Sequence, residues 1–528
     1  MKKKILISDP LAKEGLDILK KEDTFEVDEK EKLSSEELKK IIKDYDAIII
    51  RSGTRLTKDI IEAADNLEVI GRAGIGVDNI DVEAASLKGI VVMNAPGGNT
   101  ISTAEHTFSL LLALSRNIPQ ANFSLKENKW DRKKFIGTQV FGKTLGIIGV
   151  GRIGTEVAKR AISFGMKVIA YDPYISEEKM KTLKVEIVDF DELLKRSDYI
   201  TVHTPKTEET TYMISKEEFD KMKKGVRIIN CARGGIVDEK ALLEAINEGK
   251  VAGAALDVYE ETPPVDNPLI KLDCVVATPH LGASTEEAQI NVAIDIAKQV
   301  KDALISKVYK NAINLPAIDK KIIDEVKPYI NLSEKIGSLE SQLVEGRIKE
   351  IEVRYSGEVS KYPISAITVG LLKGILSPIL EEPVNDVNAT VIAKERGINV
   401  IESKQSEIEE FSNLISVKVQ TDKKKCEIAG TLFTKQDPRI VKIDEFYVDA
   451  VPRGYMIITR NKDLPGIVGQ IGTILGNNNI NIAAMTFGRK EPGGEAITVL
   501  NVDAEVSEEV LGQIRQADNI IDAKLIKL

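Results

Sequence analysis

TLGIIGVGRIGTEVAKRAIS, residues 144–163, decides how the middle of this chain folds. Residues 144–148 are apolar enough for a buried strand and run straight into Gly149, Val150, Gly151, Arg152, Ile153 and Gly154. The stretch 155–163 then reads as the following helix. Strand, glycine turn and helix in that order form a βα unit suited to a pyrophosphate. Gly149 permits the tight turn, Gly151 lets the backbone approach the phosphates, and Gly154 lets helix pack on strand. Orphan amides and the dipole at the helix start favour an anion. A βα turn with no ligand is the competing reading, and the full context weighs against it. Asp172 follows the next apolar run, 23 residues after Gly149. Its carboxylate can accept hydrogen bonds from the ribose hydroxyls of NAD and would repel the extra phosphate of NADP. Taken alone it would read as a cap or turn aspartate before Pro173.

Outward from that unit the pattern alternates strand and helix. Strands are expected at 5–8, 47–50, 69–70 and 91–93, with helices at 13–21 and 35–43. A second block has strands at 144–148, 167–171, 199–203, 226–230, 253–256 and 274–277. Alternation of this kind predicts α/β folding, with two Rossmann-like doubly wound domains. Ser102 and Glu105 fit a capping box that opens a long helix, and Ser284 and Glu287 fit a second. The second helix is expected to reach about 305 and carry the chain back. The expected division is a substrate-binding domain from 1–98 plus 291–316 and an NAD-binding domain from 99–290. A mixed α/β allosteric domain then covers 317–453, with β-type runs at 415–420 and 427–433. Residues 454–528 read β-α-β-β-α-β, the ferredoxin-like order. Their strands are expected at 455–461, 480–489, 496–503 and 523–526, and their helices at 466–477 and 507–515.

A chain of 528 residues exceeds one hydrophobic core, so three or four domains are expected. Apolar residues at 43% and charged residues at 29% suit a soluble globular protein. A net charge of −9 gives no reason to expect nucleic acid, which calls for a basic surface. The three cysteines, Cys231, Cys274 and Cys426, lie far apart without CxxC spacing. Neither a disulfide framework nor a metal site is expected, and a reducing cytoplasm fits. The basic start MKKKILISDP reads as a first strand rather than a signal peptide. No apolar run is long enough to span a membrane.

Two strand ends carry chemistry. Cys231, Ala232 and Arg233 precede a Gly-Gly turn at the carboxyl edge of the strand at 226–230, where open α/β sheets bind ligands. Arginine can grip carboxylate and carbonyl oxygens in a two-pronged way. His280, one of three histidines, ends another strand at the same edge and can exchange a hydroxyl proton near neutral pH. His203, at the end of an apolar run, reads as structural or cofactor-adjacent. His106, within a helix, reads as packing or interface.

In this order, GVGRIG (149–154), NCARGGIVDE (230–239), GAALDVYEETPP (253–264) and TPHLGAST (278–285) resemble the D-2-hydroxyacid dehydrogenase family. RSGTRLT (51–57), GRAGIGVDNIDVEAA (71–85) and PGGNTISTAEHT (96–107) resemble its phosphoglycerate dehydrogenase branch. The resemblance implies that Arg233 orients the substrate and that His280 is the general acid/base. Gly149, Gly151, Arg152, Ile153, Gly154, Asp172, Thr204, Cys231, Ala232, Asp257, Gly282 and Ala283 would line NAD. Arg51, Arg72, Asn99 and Arg132 would meet the carboxylate and phosphate of 3-phosphoglycerate. The family's histidine-supporting glutamate, five residues past the Asp257 position, falls on Thr262, which leaves Glu261 to serve or leaves His280 without a carboxylate. Asp463-Leu-Pro-Gly466 resembles the D-x-P-G signature of ACT domains, so Asp463 and Asn481 would hold an effector, L-serine, in a homo-oligomer, expected to be a tetramer. A cap with proline in the first turn is the competing reading of Asp463. Arg439 and Lys442 are candidates for an anion site. Another 2-hydroxyacid dehydrogenase, of the glyoxylate or hydroxypyruvate reductase type, and a non-catalytic NAD sensor stay open as alternatives.

Overall fold

The computed structural model describes residues 2–175, 184–316, 318, 322–381, 383–406 and 411–528. The first sheet is parallel and runs Phe25–Glu29, Lys3–Ile7, Ala47–Ile50, Val69–Arg72, Val91–Asn94. Helices Ser35–Ile41, Lys58–Glu62 and Val82–Leu87 cover one face through Leu38, Ile60, Ile61, Ala84 and Ala85. The other face is closed by a helix from far along the chain, Glu286–Ser306, which buries Val292, Ile296 and Val300 there. Its contact with helix Lys13–Lys20 is too close for a side chain at Gly15, whose Cβ would lie 2.6 Å from the Ala293 carbonyl.

The second sheet is also parallel, in the order Val275–Ala277, Val251–Leu256, Val226–Asn230, Tyr199–Val202, Thr144–Ile148, Lys167–Tyr171, Glu186–Ile187. Strand order reverses beside Thr144–Ile148, and the crevice at such a switch point is where open sheets bind ligands. Two helices cross between the sheets, Thr100–Arg116 and Glu286–Ser306, and Ser102 Oγ meets Thr285 Oγ1 at 2.8 Å where they begin.

Both expected capping boxes are corrected. Thr100–Arg116 starts with Asn99 at the cap, so Ser102 lies inside the helix and Glu105 pairs with Arg160 instead. In the second, Thr285 rather than Ser284 is the cap and accepts from the Ala288 amide at 3.2 Å, which puts Glu287 one position too early for a box.

The boundary expected at 316/317 involves residues outside those described. Beyond it, helices Ile323–Leu343 and Ile364–Leu376 pack together on a six-stranded mixed sheet. The terminal module has antiparallel strands in the order Ile482–Arg489, Glu495–Val502, Tyr455–Lys462, Ile520–Lys527. Helices Ile467–Asn477 and Glu508–Gln516 cover one face. The other face, with Met456, Ile458, Ile497, Val499 and Ile526, joins the core of the six-stranded sheet. That middle unit also reaches back. Val387 is buried in the core of the first sheet, and Asn385 Nδ2 donates to the Gly89 carbonyl at 3.0 Å. No helix among the described residues is long and apolar enough to cross a membrane.

Candidate active site

Each glycine of the turn is needed for a different reason. Gly149 has φ +87°, and a Cβ there would lie 2.8 Å from the His203 carbonyl. A Cβ on Gly154 would lie 2.1 Å from the Gly149 carbonyl. Gly151 faces open space, so its backbone is free to meet a ligand, and Arg152 and Ile153 form the first turn of helix Arg152–Ser163. Asp172 accepts from the Val150 amide at 3.0 Å and the Tyr174 amide at 2.9 Å, which ties the second strand end to the turn. Thr204 Oγ1 is buried beside Gly149 and has no partner among the described residues. An open glycine cradle at a helix N-terminus, a carboxylate one strand over and an unpaired hydroxyl suit NAD.

Asp257 anchors the catalytic edge. It is fully buried and accepts from Thr278 Oγ1 at 2.7 Å and from the Leu281 and Gly282 amides at 2.7 and 2.9 Å. His106 Nε2 lies 3.1 Å from the same carboxylate. Burial alone would raise the Asp257 pKa, but His106, Thr278 and the Leu281 amide hold it below the usual value. This clamp fixes His280 at φ +56°, a left-handed conformation that costs a non-glycine residue roughly 1–2 kcal/mol. Ala283 continues that loop. Desolvation lowers the His280 pKa, with Arg233 and Arg72 adding to the shift and Asp257 and Asp78 opposing it.

Arg233 is set by Asn230, whose amide donates to the Arg233 carbonyl at 2.9 Å and whose Oδ1 accepts from Ala232 N at 3.0 Å. The Arg233 Nη1 donates to the Ala232 carbonyl at 2.7 Å, and Nε donates to Asp78 Oδ2 at 3.0 Å across the cleft. Arg72 stands nearby with Nε buried and, among the described residues, without a partner. Burial, then Arg233 and Arg51, push its pKa down to about 10. The Arg51 amide is bound to Asp9 Oδ2 at 2.6 Å. Asn99 Oδ1 is also buried without a partner among the described residues. The structure therefore brings Arg51 and Arg72, from the first domain, together with Arg233, from the second, at the cleft. Arg132 is exposed and is not among the charges acting on Arg72 or His280.

Glu261 is exposed, and among the described residues no carboxylate is hydrogen-bonded to the His280 ring. Its neighbour Glu260 is engaged by Tyr212 and the Glu239 amide. Cys231 is buried, and its thiol is pushed up to about 12 by desolvation, so it lines the site as an inert group. His203 is half-buried and bonded to Thr201 Oγ1 at 3.0 Å, and desolvation of its ring pushes its pKa down to about 4, which keeps it neutral. Sequence reasoning missed Asn230, Asp78 and the pairing of His106 with Asp257. Asn230, Asp78 and His106 stand inside the quoted motifs, but only the fold shows what they touch.

In the terminal module Asp463 accepts from Arg489 Nη1 at 2.8 Å and from the Gly493 amide at 3.2 Å. Asn481 Nδ2 donates to Asp503 at 2.7 Å. Tyr455 pairs with Val502 and Val502 with Ile482, whereas Lys462 pairs with Glu495. Asp463 and Asn481 of one chain therefore sit at opposite ends of the sheet, about 23 Å of strand apart. The two residues expected to hold the effector are thus not close together in one chain. Arg439 is paired with Asp437 and Asp449, and Lys442 with Glu427, so neither cation stands free for an anion.

Comparison with known proteins agrees with this geometry. Residues 108–282 match the D-isomer specific 2-hydroxyacid dehydrogenase NAD-binding domain, 325–444 the D-3-phosphoglycerate dehydrogenase intervening domain, and 455–519 the ACT domain. D-3-phosphoglycerate dehydrogenase of Methanocaldococcus jannaschii is 49% identical over 99% of this chain and all of its own length. That of Bacillus subtilis is 45% identical, covering 99% of both chains. Among solved structures, NAD-dependent formate dehydrogenase from Staphylococcus aureus in complex with NAD is 30% identical, with a TM-score of 0.53, over 59% of this chain and 98% of that one. D-lactate dehydrogenase from Aquifex aeolicus, complexed with NAD and lactic acid, is 29% identical with a TM-score of 0.53, over 60% of this chain and all of that one. Fold and site thus define an NAD-dependent 2-hydroxyacid dehydrogenase with an ACT module. Within that class, the chain belongs to the D-3-phosphoglycerate dehydrogenase family.

Proposed function

We propose that the chain oxidises 3-phosphoglycerate to 3-phosphohydroxypyruvate, the first step of L-serine biosynthesis in the cytoplasm. The gathering of Arg51, Arg72 and Arg233, with Arg72 Nε unpaired, carries this reading, because it suits a substrate with two anionic ends. In this scheme residues 1–98 with 291–316 bind the substrate and 99–290 bind NAD. NAD, when bound, accepts the hydride from C2 of the substrate. Arg233 holds the carboxylate and polarises the oxygen at C2, and neutral His280 takes the hydroxyl proton. Arg51 and Arg72, with Asn99, hold the phosphate side. Arg132 belongs to this reading only if a second copy brings it to the cleft, since its own chain leaves it outside. Reduction of 3-phosphohydroxypyruvate and hydroxypyruvate by NADH is the test. Arg51→Ala should weaken the phosphorylated substrate far more than the other. Equal losses would move the protein toward the hydroxypyruvate reductases, and no turnover of either would favour an NAD sensor.

We also propose that L-serine acts at paired ACT modules of a homo-oligomer, a tetramer in this scheme. The edge strand Ile482–Arg489 exposes Met485 and Phe487, with Leu464 and Val468 also uncovered at the first helix. Two copies meeting antiparallel along this edge would bring Asp463 of one toward Asn481 of the other.

A further inference from the structure

The loop Gly74–Asp78 wraps the two arginines of the cleft. A Cβ on Gly74 would lie 1.9 Å from Arg72 Nη1, and one on Gly76 would lie 2.1 Å from Arg233 Nη2. At the end of this loop Asp78 binds Arg233 Nε at 3.0 Å. Asp78 stands on the first sheet's side of the cleft and Arg233 on the second's, so the pair bridges them. Its carboxylate opposes the effects of the arginines on both Arg72 and His280. Nε and Nη2 form one edge of the guanidinium, and a substrate carboxylate needs such an edge for a two-pronged grip. Asp78 holds one of its two donors. Its side chain is 71% exposed, and exposed ion pairs are weak and screened by salt.

We propose that Asp78 is a placeholder for the substrate's carboxylate. It neutralises Arg233 until a 2-oxo or 2-hydroxy acid enters, and is then exchanged for that acid's carboxylate. A ligand without a carboxylate cannot make this exchange, so Asp78 is a specificity-determining residue although it touches no reacting atom. The inference rests on the reading of Arg233 as the holder of that carboxylate.

The test is NADH-dependent reduction of 3-phosphohydroxypyruvate and hydroxypyruvate by the full chain, at low and high salt. The enzymes compared are the parent, Asp78→Asn, Asp78→Glu, Arg233→Ala and the Asp78→Asn/Arg233→Ala double variant. Asp78→Asn should lower KM for both substrates about two- to five-fold at low salt, the range expected from an exposed pair, with the gap narrowing at high salt. Asp78→Glu should stay near the parent. In the Arg233→Ala background the Asp78 substitution should change nothing. A KM that is unchanged or raised in Asp78→Asn overturns the placeholder, as does an equal effect with Arg233 absent. If Arg233→Ala leaves KM and kcat/KM intact, the underlying reading of Arg233 fails instead. If only hydroxypyruvate is turned over, the phosphate reading fails while the Asp78 comparison still stands.

Discussion

At the residue scale, the proposed chemistry rests on single carboxylates and one imidazole. Asp172 spends its oxygens on the Val150 and Tyr174 amides, so it shapes the glycine turn, and on the proposed NAD reading its charge faces the ribose. Asp172→Ser should relax the preference for NAD over NADP and weaken NAD as well, because two amides lose their acceptor. Comparing kcat/KM for the two cofactors checks this, and equal use of both by the parent would remove the assignment. His280 is held below the ordinary imidazole value, so its neutral form prevails at pH 7. On the proposed role of His280 as the base, oxidation should rise through a pKa below the ordinary imidazole value, then stay flat above it. Reduction needs the imidazolium and should fall across the same range. His280→Ala should cost about 100-fold or more and abolish that limb while leaving NAD binding largely intact. With Glu261 exposed, Glu261→Gln should leave the pH profile in place, and Thr262→Glu should move it to higher pH if a carboxylate there reaches the ring. A profile displaced by Glu261→Gln would restore Glu261 as the partner.

Strand ends and the loops beyond them position these groups. Asp257 ties strand Val251–Leu256, helix Thr100–Arg116 and the His280 loop together through four contacts. Asp257→Ala would leave the Leu281 and Gly282 amides without their acceptor and His280 without support for its φ of +56°. The expected outcome is a loss of roughly 2–5 kcal/mol in stability together with activity, read by thermal unfolding and turnover. Full stability with reduced activity would mean that the clamp only aims the histidine. The same elements show what was legible in advance. The strand 144–148 and its glycine turn could be read because each glycine meets a separate steric demand. The edge strands Phe25–Glu29 and Glu186–Ile187 could not, since FEVDE mixes apolar and acidic residues and the second has only two residues. The capping boxes misled because the spacing of hydroxyl and carboxylate does not say which residue leaves helical geometry. Asn99 and Thr285 do so here. Arg233 and His280 were readable as strand-end groups, whereas Asp78 acquires meaning only when two sheets face each other.

At the scale of the whole molecule, the modules are joined by shared cores. The terminal sheet buries Met456, Ile458 and Val499 against the middle unit, and Val387 of that unit sits in the first sheet's core. Cutting the chain near Arg453 would therefore expose a core face, and point variants are the better probe of regulation. If serine binds at paired ACT modules, it can inhibit only by preferring one arrangement of the oligomer, since equal affinity for both shifts nothing. Coupling of about 1–3 kcal/mol would suffice. Because Asp463 and Asn481 occupy opposite ends of one sheet, a site using both must draw them from two copies. That demand supports a sharper experiment than either variant alone. Asp463→Ala and Asn481→Ala should each abolish serine inhibition, as each removes one half of every site. When the two variants are unfolded and refolded together, or co-expressed, a mixed pair carries one site with both substitutions and one with neither. The mixture should regain part of the serine response, while a mixture of the parent with the double variant should hold no intact site in its mixed pairs. Failure of the single variants to recover on mixing would mean that the two residues do not meet across copies. Undiminished inhibition in either variant would place the sensor elsewhere in the chain.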